Sequence, residues 1–178
     1  QRLGAFLRFS TSVPARLKEL AILVTSRHWN SQVEWHVHAA CAREAGLPSP
    51  AIEAIRLGMA PEFDSEADVA VYEYARQLQG TGRVPSAVYE DVLAILGPVG
   101  IVELTAVIGY YTLVAMTLNA HDIPVPDGAT PPLRRIGSQA GDGGGECVEL
   151  SELPAARYVA PRDGAVGAGV AVQSNKEI

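Results

Sequence analysis

The stretch Glu34-Trp35-His36-Val37-His38 carries the residue types with the most chemistry in this chain. Glu34 and His38 stand one helical turn apart on one face, so a carboxylate and an imidazole can hydrogen-bond and share a proton there. Earlier in the chain, Glu19 interrupts a run that is apolar from Leu17 to Val24 apart from Lys18. An αα-hairpin broken at His28-Trp29-Asn30 would bring Glu19 to face the Glu34/His38 pair across the helix interface. Histidine as a residue type titrates near neutral pH and suits a proton carrier. Two carboxylates close together push the pKa of one of them upward, which supplies an acid at neutral pH. The combination is that of general acid–base chemistry.

Each of these residues also has a purely structural role open to it. Ser31-x-x-Glu34 has the form of a capping box, in which both side chains only satisfy backbone donors. His38 could be a buried histidine bonded to either glutamate for packing reasons. Glu19 could pair with an arginine across a helix interface. His36 points away from the Glu34/His38 face, and two histidines two positions apart diverge on a helix, so no metal and no other cofactor is expected. Ser31, Tyr111, Asn119 and His121 are candidate substrate-binding residues, the last three at the end of a long apolar helix, where Asn119 could instead cap it. Trp29 and Trp35 read as core or interface residues.

The elements that must position these groups are marked by helix punctuation. Val13-Pro14 opens a helix to about Arg27, with Leu17, Leu20, Ala21 and Val24 as its apolar positions. Ser31 caps a second helix that stops at Gly46. Ser49-Pro50 begins a third that stops at Gly58. Ser65 with Asp68 begins a fourth that ends at Gly80, with Val69, Tyr72, Ala75 and Leu78 on one face. Pro85-Ser86 opens a fifth to Gly97, and Pro98 a sixth to about Asn119. Sustained strand alternation is absent here, so the expected fold is an all-α bundle of about six helices.

At 178 residues and 48% hydrophobic content, the chain can bury one substantial core. That core is assigned to a helical domain over residues 1–127. Residues 128–178 hold 9 of the 17 glycines, including those at 141 and 143–145, and no helical period persists. They are expected to form an irregular arm whose anchors, Val148, Leu150, Leu153, Tyr158 and Val159, could pack on a neighbouring subunit. A net charge of -6 without a basic stripe argues against nucleic acid and anionic membrane surfaces as partners. From Ile101 to Leu118 the chain resembles a membrane span, but Glu103, Thr105, Gly109, Tyr110 and Tyr111 break it up, so a buried or subunit-interface helix is expected and no membrane association. Cys41 and Cys147 make no disulfide framework, and cytoplasm is the expected compartment.

Glu19, then Ser31, Glu34 and His38, then Gly46-Leu47, with Tyr110-Tyr111 and Asn119-Ala120-His121-Asp122-Ile123-Pro124 further on, is a pattern that resembles the all-α carboxymuconolactone decarboxylase and alkylhydroperoxidase-D superfamily over roughly residues 14–126. The peroxidase branch has a glutamate, a spacer, Cys-x-x-Cys and a histidine. Ser31 and Glu34 occupy the two cysteine positions and His38 the histidine position. A thiol peroxidase needs a low-pKa thiolate and an adjacent resolving thiol, which Ser31 cannot supply. Cys41 lies about three turns along the same helix and Cys147 in the arm, so neither rebuilds the pair. The decarboxylase branch has Glu-Leu-x-x-His, which Glu34-Trp35-His36-Val37-His38 resembles, although the Tyr-x-Gly-x-Pro continuation is absent after Gly58. The resemblance implies a cofactor-independent lyase or proton-transfer enzyme on a small lactone or organic acid, with Glu19, Glu34 and His38 as its catalytic residues. It also implies a homo-oligomer, a trimer or hexamer. A redox protein with a noncanonical thiol and a noncatalytic small-molecule-binding oligomer are the alternatives.

Overall fold

The computed structural model of the chain describes residues 2–134 and 153–160. Its helices are α1 (Arg2–Phe9), α2 (Ala15–His28), α3 (Gln32–Glu44), α4 (Ser49–Leu57), α5 (Glu66–Thr81) and α6 (Ser86–Ala120), with a 3₁₀ turn at Pro126–Gly128. Two-residue strands β1 (Glu62–Phe63) and β2 (Arg157–Tyr158) pair in parallel. The fold is all-α, as the helix periodicity requires.

The chain turns where its left-handed residues allow it to. Asn30, at φ 50°, closes the α2–α3 hairpin, and Ser31 N–H donates to Ser26 O at 2.8 Å. Gly46 (φ 87°) and Gly58 (φ 72°) end α3 and α4 where the sequence places their stops. Ser65 caps α5 through a bond from Asp68 N–H, as expected, but α5 runs past Gly80 to Thr81 and turns at Gly82. The two helices expected on either side of Gly97-Pro98 are both present within the span of α6: they meet at a break at Gly97, whose φ of 69° and ψ of 177° are non-helical and open only to glycine. Helix α1 has no counterpart in the sequence reading. It is one short element with a single buried residue, Leu7, too few to set up a period.

Helix α2 is the axis of the core. Leu20, Ala21, Ile22, Leu23 and Val24 are fully buried, because α3, α5 and α6 surround it. A helix wrapped on all sides has no polar stripe, which is why its apolar run is continuous. Gln79 of α5 ties three helices together: its amide donates to Thr112 Oγ1 of α6 at 2.7 Å and to Thr25 Oγ1 of α2 at 3.2 Å, and its carbonyl accepts from Trp29 Nε1 at 3.1 Å. Arg16 pairs with the buried Asp68 and donates to Gly46 O at 2.9 Å, fixing the start of α2 against α5.

Part of the C-terminal arm belongs to this core. Leu133 and Leu153 are buried in it. Gln32 holds Leu133 through both backbone groups, Tyr72 Oη donates to Pro154 O at 2.8 Å, and Ala156 N–H donates to Glu73 Oε1 at 2.8 Å. Leu153 therefore anchors the arm on its own chain, whereas Tyr158 and Val159 are exposed. Cys147, Val148, Leu150 and the glycine run 141–145 lie outside the described residues.

Candidate active site

Glu19 of α2 and His38 of α3 meet across the hairpin interface. His38 Nδ1–H donates to Glu19 Oε2 at 2.7 Å, with 5% and 8% of the two residues exposed. A carboxylate that fixes Nδ1–H leaves Nε2 as the unprotonated nitrogen, the arrangement of an oriented general base. Tyr111 of α6 sets its ring edge-to-face against the His38 imidazole, centroids 4.8 Å apart. Burial, followed by the charge of Glu19, pushes the Tyr111 hydroxyl up to about 12, so it remains a proton donor. Leu7 of α1 packs on Tyr111 in a small apolar cluster with Ile22 and Val107.

Glu34 does not bond His38, although helical phase puts the two on one face. It turns to Ser26 of α2 instead, whose Oγ lies 2.9 Å from Glu34 Oε1 and 2.7 Å from Ile22 O. A serine hydroxyl carries one proton and cannot donate fully to both. A protonated Glu34 resolves the conflict by donating to Ser26 Oγ while Ser26 donates to Ile22 O. Glu34 is 3% exposed, its Oε2 has no partner, and burial pushes its carboxyl up to about 8 against the opposing effect of the Ser26 hydrogen bond. Two facing carboxylates predict a carboxyl raised toward neutrality; the Glu34 carboxyl is raised, but by desolvation and not by the charge of Glu19.

Ser31 stands at the N-cap of α3 with no side-chain cap bond, and its buried Oγ has no partner. The capping box is therefore not formed, which removes the purely structural account of Ser31 and Glu34 together. Asn119 and His121 lie elsewhere. Asn119 Nδ2 donates to Trp29 O at 2.7 Å and lines an open cleft of about 570 Å³ with Asn30, Val33 and Ile123, while His121 is exposed at the C-cap of α6. None of Glu19, Glu34, His38 and Tyr111 lines that cleft, nor the smaller one, of about 210 Å³, beside Arg76 and Thr81.

Two groups at the site escape sequence reasoning. Ser26 sits inside an apolar helix and announces itself only as the α2 residue facing Glu34. Cys41, set aside as three turns from Ser31, is one turn beyond His38, and its Sγ and one ligand atom each of Glu19 and His38 all lie within 4.8 Å of one another. These three could hold a divalent cation. In the present geometry the 2.7 Å separation of Glu19 and His38 is that of a direct hydrogen bond, shorter than the roughly 3.3 Å between two ligand atoms set tetrahedrally about zinc. His36 is exposed and takes no part in the cluster.

Comparison with family models, with curated proteins and with solved structures yields no match to this chain.

Proposed function

We propose that this chain is a carboxymuconolactone decarboxylase-like protein that performs cofactor-independent proton-transfer chemistry, as a lyase, on a small lactone or organic acid. The observation that carries the reading is the buried Glu19–His38 hydrogen bond set beside a carboxyl group that burial holds neutral near pH 7. In a decarboxylation the carbon–carbon bond to the carboxylate breaks and its electron pair moves onto an adjacent carbonyl as an enolate. The Tyr111 hydroxyl, and the Glu34 carboxyl once its proton turns from Ser26 to the substrate, are the donors suited to stabilise that oxygen. Nε2 of His38, held by Glu19, first takes the proton of the substrate's carboxyl group and returns it to carbon once carbon dioxide has left, or removes a proton from carbon in a related isomerisation. All four residues are packed away from solvent, and α1 covers Tyr111 through Leu7.

Assembly as a homo-oligomer, a trimer or hexamer, is part of the proposal. Val99, Val102, Ala106, Gly109, Leu113 and Met116 of α6 are all exposed, at alternating spacings of three and four. That period is the seam by which one helix packs on another. The opposite face of α6, with Leu104, Ile108 and Tyr111, is already buried in the core.

The test is a screen of the full chain against small lactones and unsaturated or keto acids, followed by His38→Asn on any substrate turned over. A fall of about a hundredfold or more supports the reading. Unchanged turnover in both His38→Asn and Glu34→Gln ends it. A second reading, redox chemistry at Cys41, is favoured by the proximity of its thiol to His38 and Glu19. Loss of activity in Cys41→Ser with His38→Asn still active would select it.

A further inference from the structure

Arg27 of α2 is 4% exposed, yet its Nε and Nη1 are buried without any hydrogen-bond partner. Among the described residues no carboxylate pairs with it. Burial pushes its pKa down, and the charged group that bears on it, another cation, Arg56 of α4, pushes the same way. Arg56 is itself engaged, donating to both oxygens of Glu53 at 2.8 and 2.6 Å and to Pro132 O at 2.9 Å. A buried guanidinium cannot shed its proton at any ordinary pH, so it needs an anion. Ser26, its neighbour in sequence, faces Glu34, and one residue further round the helix Arg27 turns to the α4 side, away from the Glu34 carboxyl.

We propose that Arg27 is the core of an oxyanion-binding site on the α4 side of α2, taking a carboxylate or phosphate group as its missing counter-ion. Either hydrogen-bonding edge of the guanidinium fork includes one of the two unpartnered donors, so a two-oxygen anion satisfies one of them whichever edge it meets. Arg56 adds positive potential and donates to Pro132 O at 2.9 Å, which ties the chain leading into the arm to α4. The oxyanion has two sources with the same chemistry. One is a free small anion. The other is a carboxylate of this chain, since Asp142, Glu146, Glu149 and Glu152 follow that segment in sequence.

The experiment uses the full chain and inorganic phosphate as probe, with sodium chloride at matched ionic strength as control. The expected result is a phosphate-specific rise in Tm of about 5 °C at saturation in the wild type, absent in Arg27→Met and reduced in Arg27→Lys. Removing the unpaired charge should leave the Tm of Arg27→Met in phosphate-free buffer no lower than that of the wild type. Neutralising the four carboxylates, Asp142→Asn with Glu146→Gln, Glu149→Gln and Glu152→Gln, separates the sources. A Tm loss seen with Arg27 present and absent in Arg27→Met assigns the counter-ion to the chain itself, and phosphate should then restore it. The proposal falls if phosphate acts equally on wild type and Arg27→Met while neutralising the four carboxylates has the same effect in both. Should Arg27→Met not fold, wild type and Arg27→Lys decide: calorimetric titration showing no phosphate binding to the wild type, with no effect of the four substitutions, overturns it.

Discussion

Glu34→Gln isolates the neutral carboxyl at the centre of the site. Glutamine reproduces the protonated acid closely, with an NH₂ group to donate to Ser26 Oγ, but it cannot ionise. Burial pushes the wild-type carboxyl up from its ordinary value of about 4.5 to about 8 in the folded chain. Its folded pKa is raised, so the stability it contributes is complete below about pH 4.5, drains away through the window up to about pH 8, and is constant above it. Three and a half pH units at about 1.4 kcal/mol each set an upper figure of about 5 kcal/mol. Water entering a relaxed site lowers that, and about 2 kcal/mol is the working expectation. Urea unfolding of wild type and Glu34→Gln at pH 5, 6, 7, 8 and 9 should therefore give nearly equal stabilities at pH 5 and a growing advantage for the variant toward pH 8 and 9, since every other titrating group cancels in the difference. A difference that stays flat with pH, or a variant weaker than wild type at pH 9, would refute the assignment of Glu34 as a buried neutral acid.

Double replacement of Cys41 and Cys147 by serine should leave turnover of any substrate substantially intact under the proton-transfer reading, and its loss with folding unchanged would move the chemistry to the thiol. Dialysis against a strong chelator should alter neither the melting temperature nor activity; metal analysis finding stoichiometric zinc or iron on Glu19, His38 and Cys41 would contradict this. Truncation after Gly128 should retain most of the helical circular dichroism but lower Tm by about 10 °C, because Leu133 and Leu153 each contribute about 2 kcal/mol of burial. An unchanged Tm would mean that the arm's packing is energetically idle. Size-exclusion chromatography with light scattering should find an oligomer that Val102→Glu and Leu113→Glu dissociate, and a wild-type monomer would remove the role given to the α6 seam.

The helices were legible because their boundaries are written in residues with few alternatives: proline at the starts, left-handed glycine or asparagine at the stops. Gly97-Pro98 reads as the end of one helix and the start of another, and the backbone does leave helical geometry at Gly97, where only glycine can take the φ and ψ required. The arm was harder still, because Leu133 and Leu153 are single side chains in segments with no period, and only the packed core and the bonds from Gln32 to Leu133 and from Arg76 to Leu153 O define where they go.

At the site, helical spacing correctly put Glu34 and His38 on one face and placed Glu19 opposite, but it could not assign partners. Spacing fixes which side chains are neighbours. It does not fix which contacts the hairpin, once packed, makes shortest. Antiparallel packing of α2 on α3 sets Glu19 level with His38 and Ser26 level with Glu34, near the turn, so the histidine takes the carboxylate from the other helix and the glutamate takes the hydroxyl. This exchange separates the two carboxyl groups chemically. Glu19, bonded to the imidazole, has a partner for its charge. Glu34 has a hydroxyl on one oxygen and nothing on the other, which favours the protonated form. The pairing on which the proposed proton-transfer roles rest, one carboxylate on the imidazole and one carboxyl on a hydroxyl, is thus a product of where the α2–α3 turn falls. Lengthening that turn by one residue after Asn30 would shift the register and lose both pairings together, a coupled failure that no single substitution at Glu19, Glu34 or His38 reproduces.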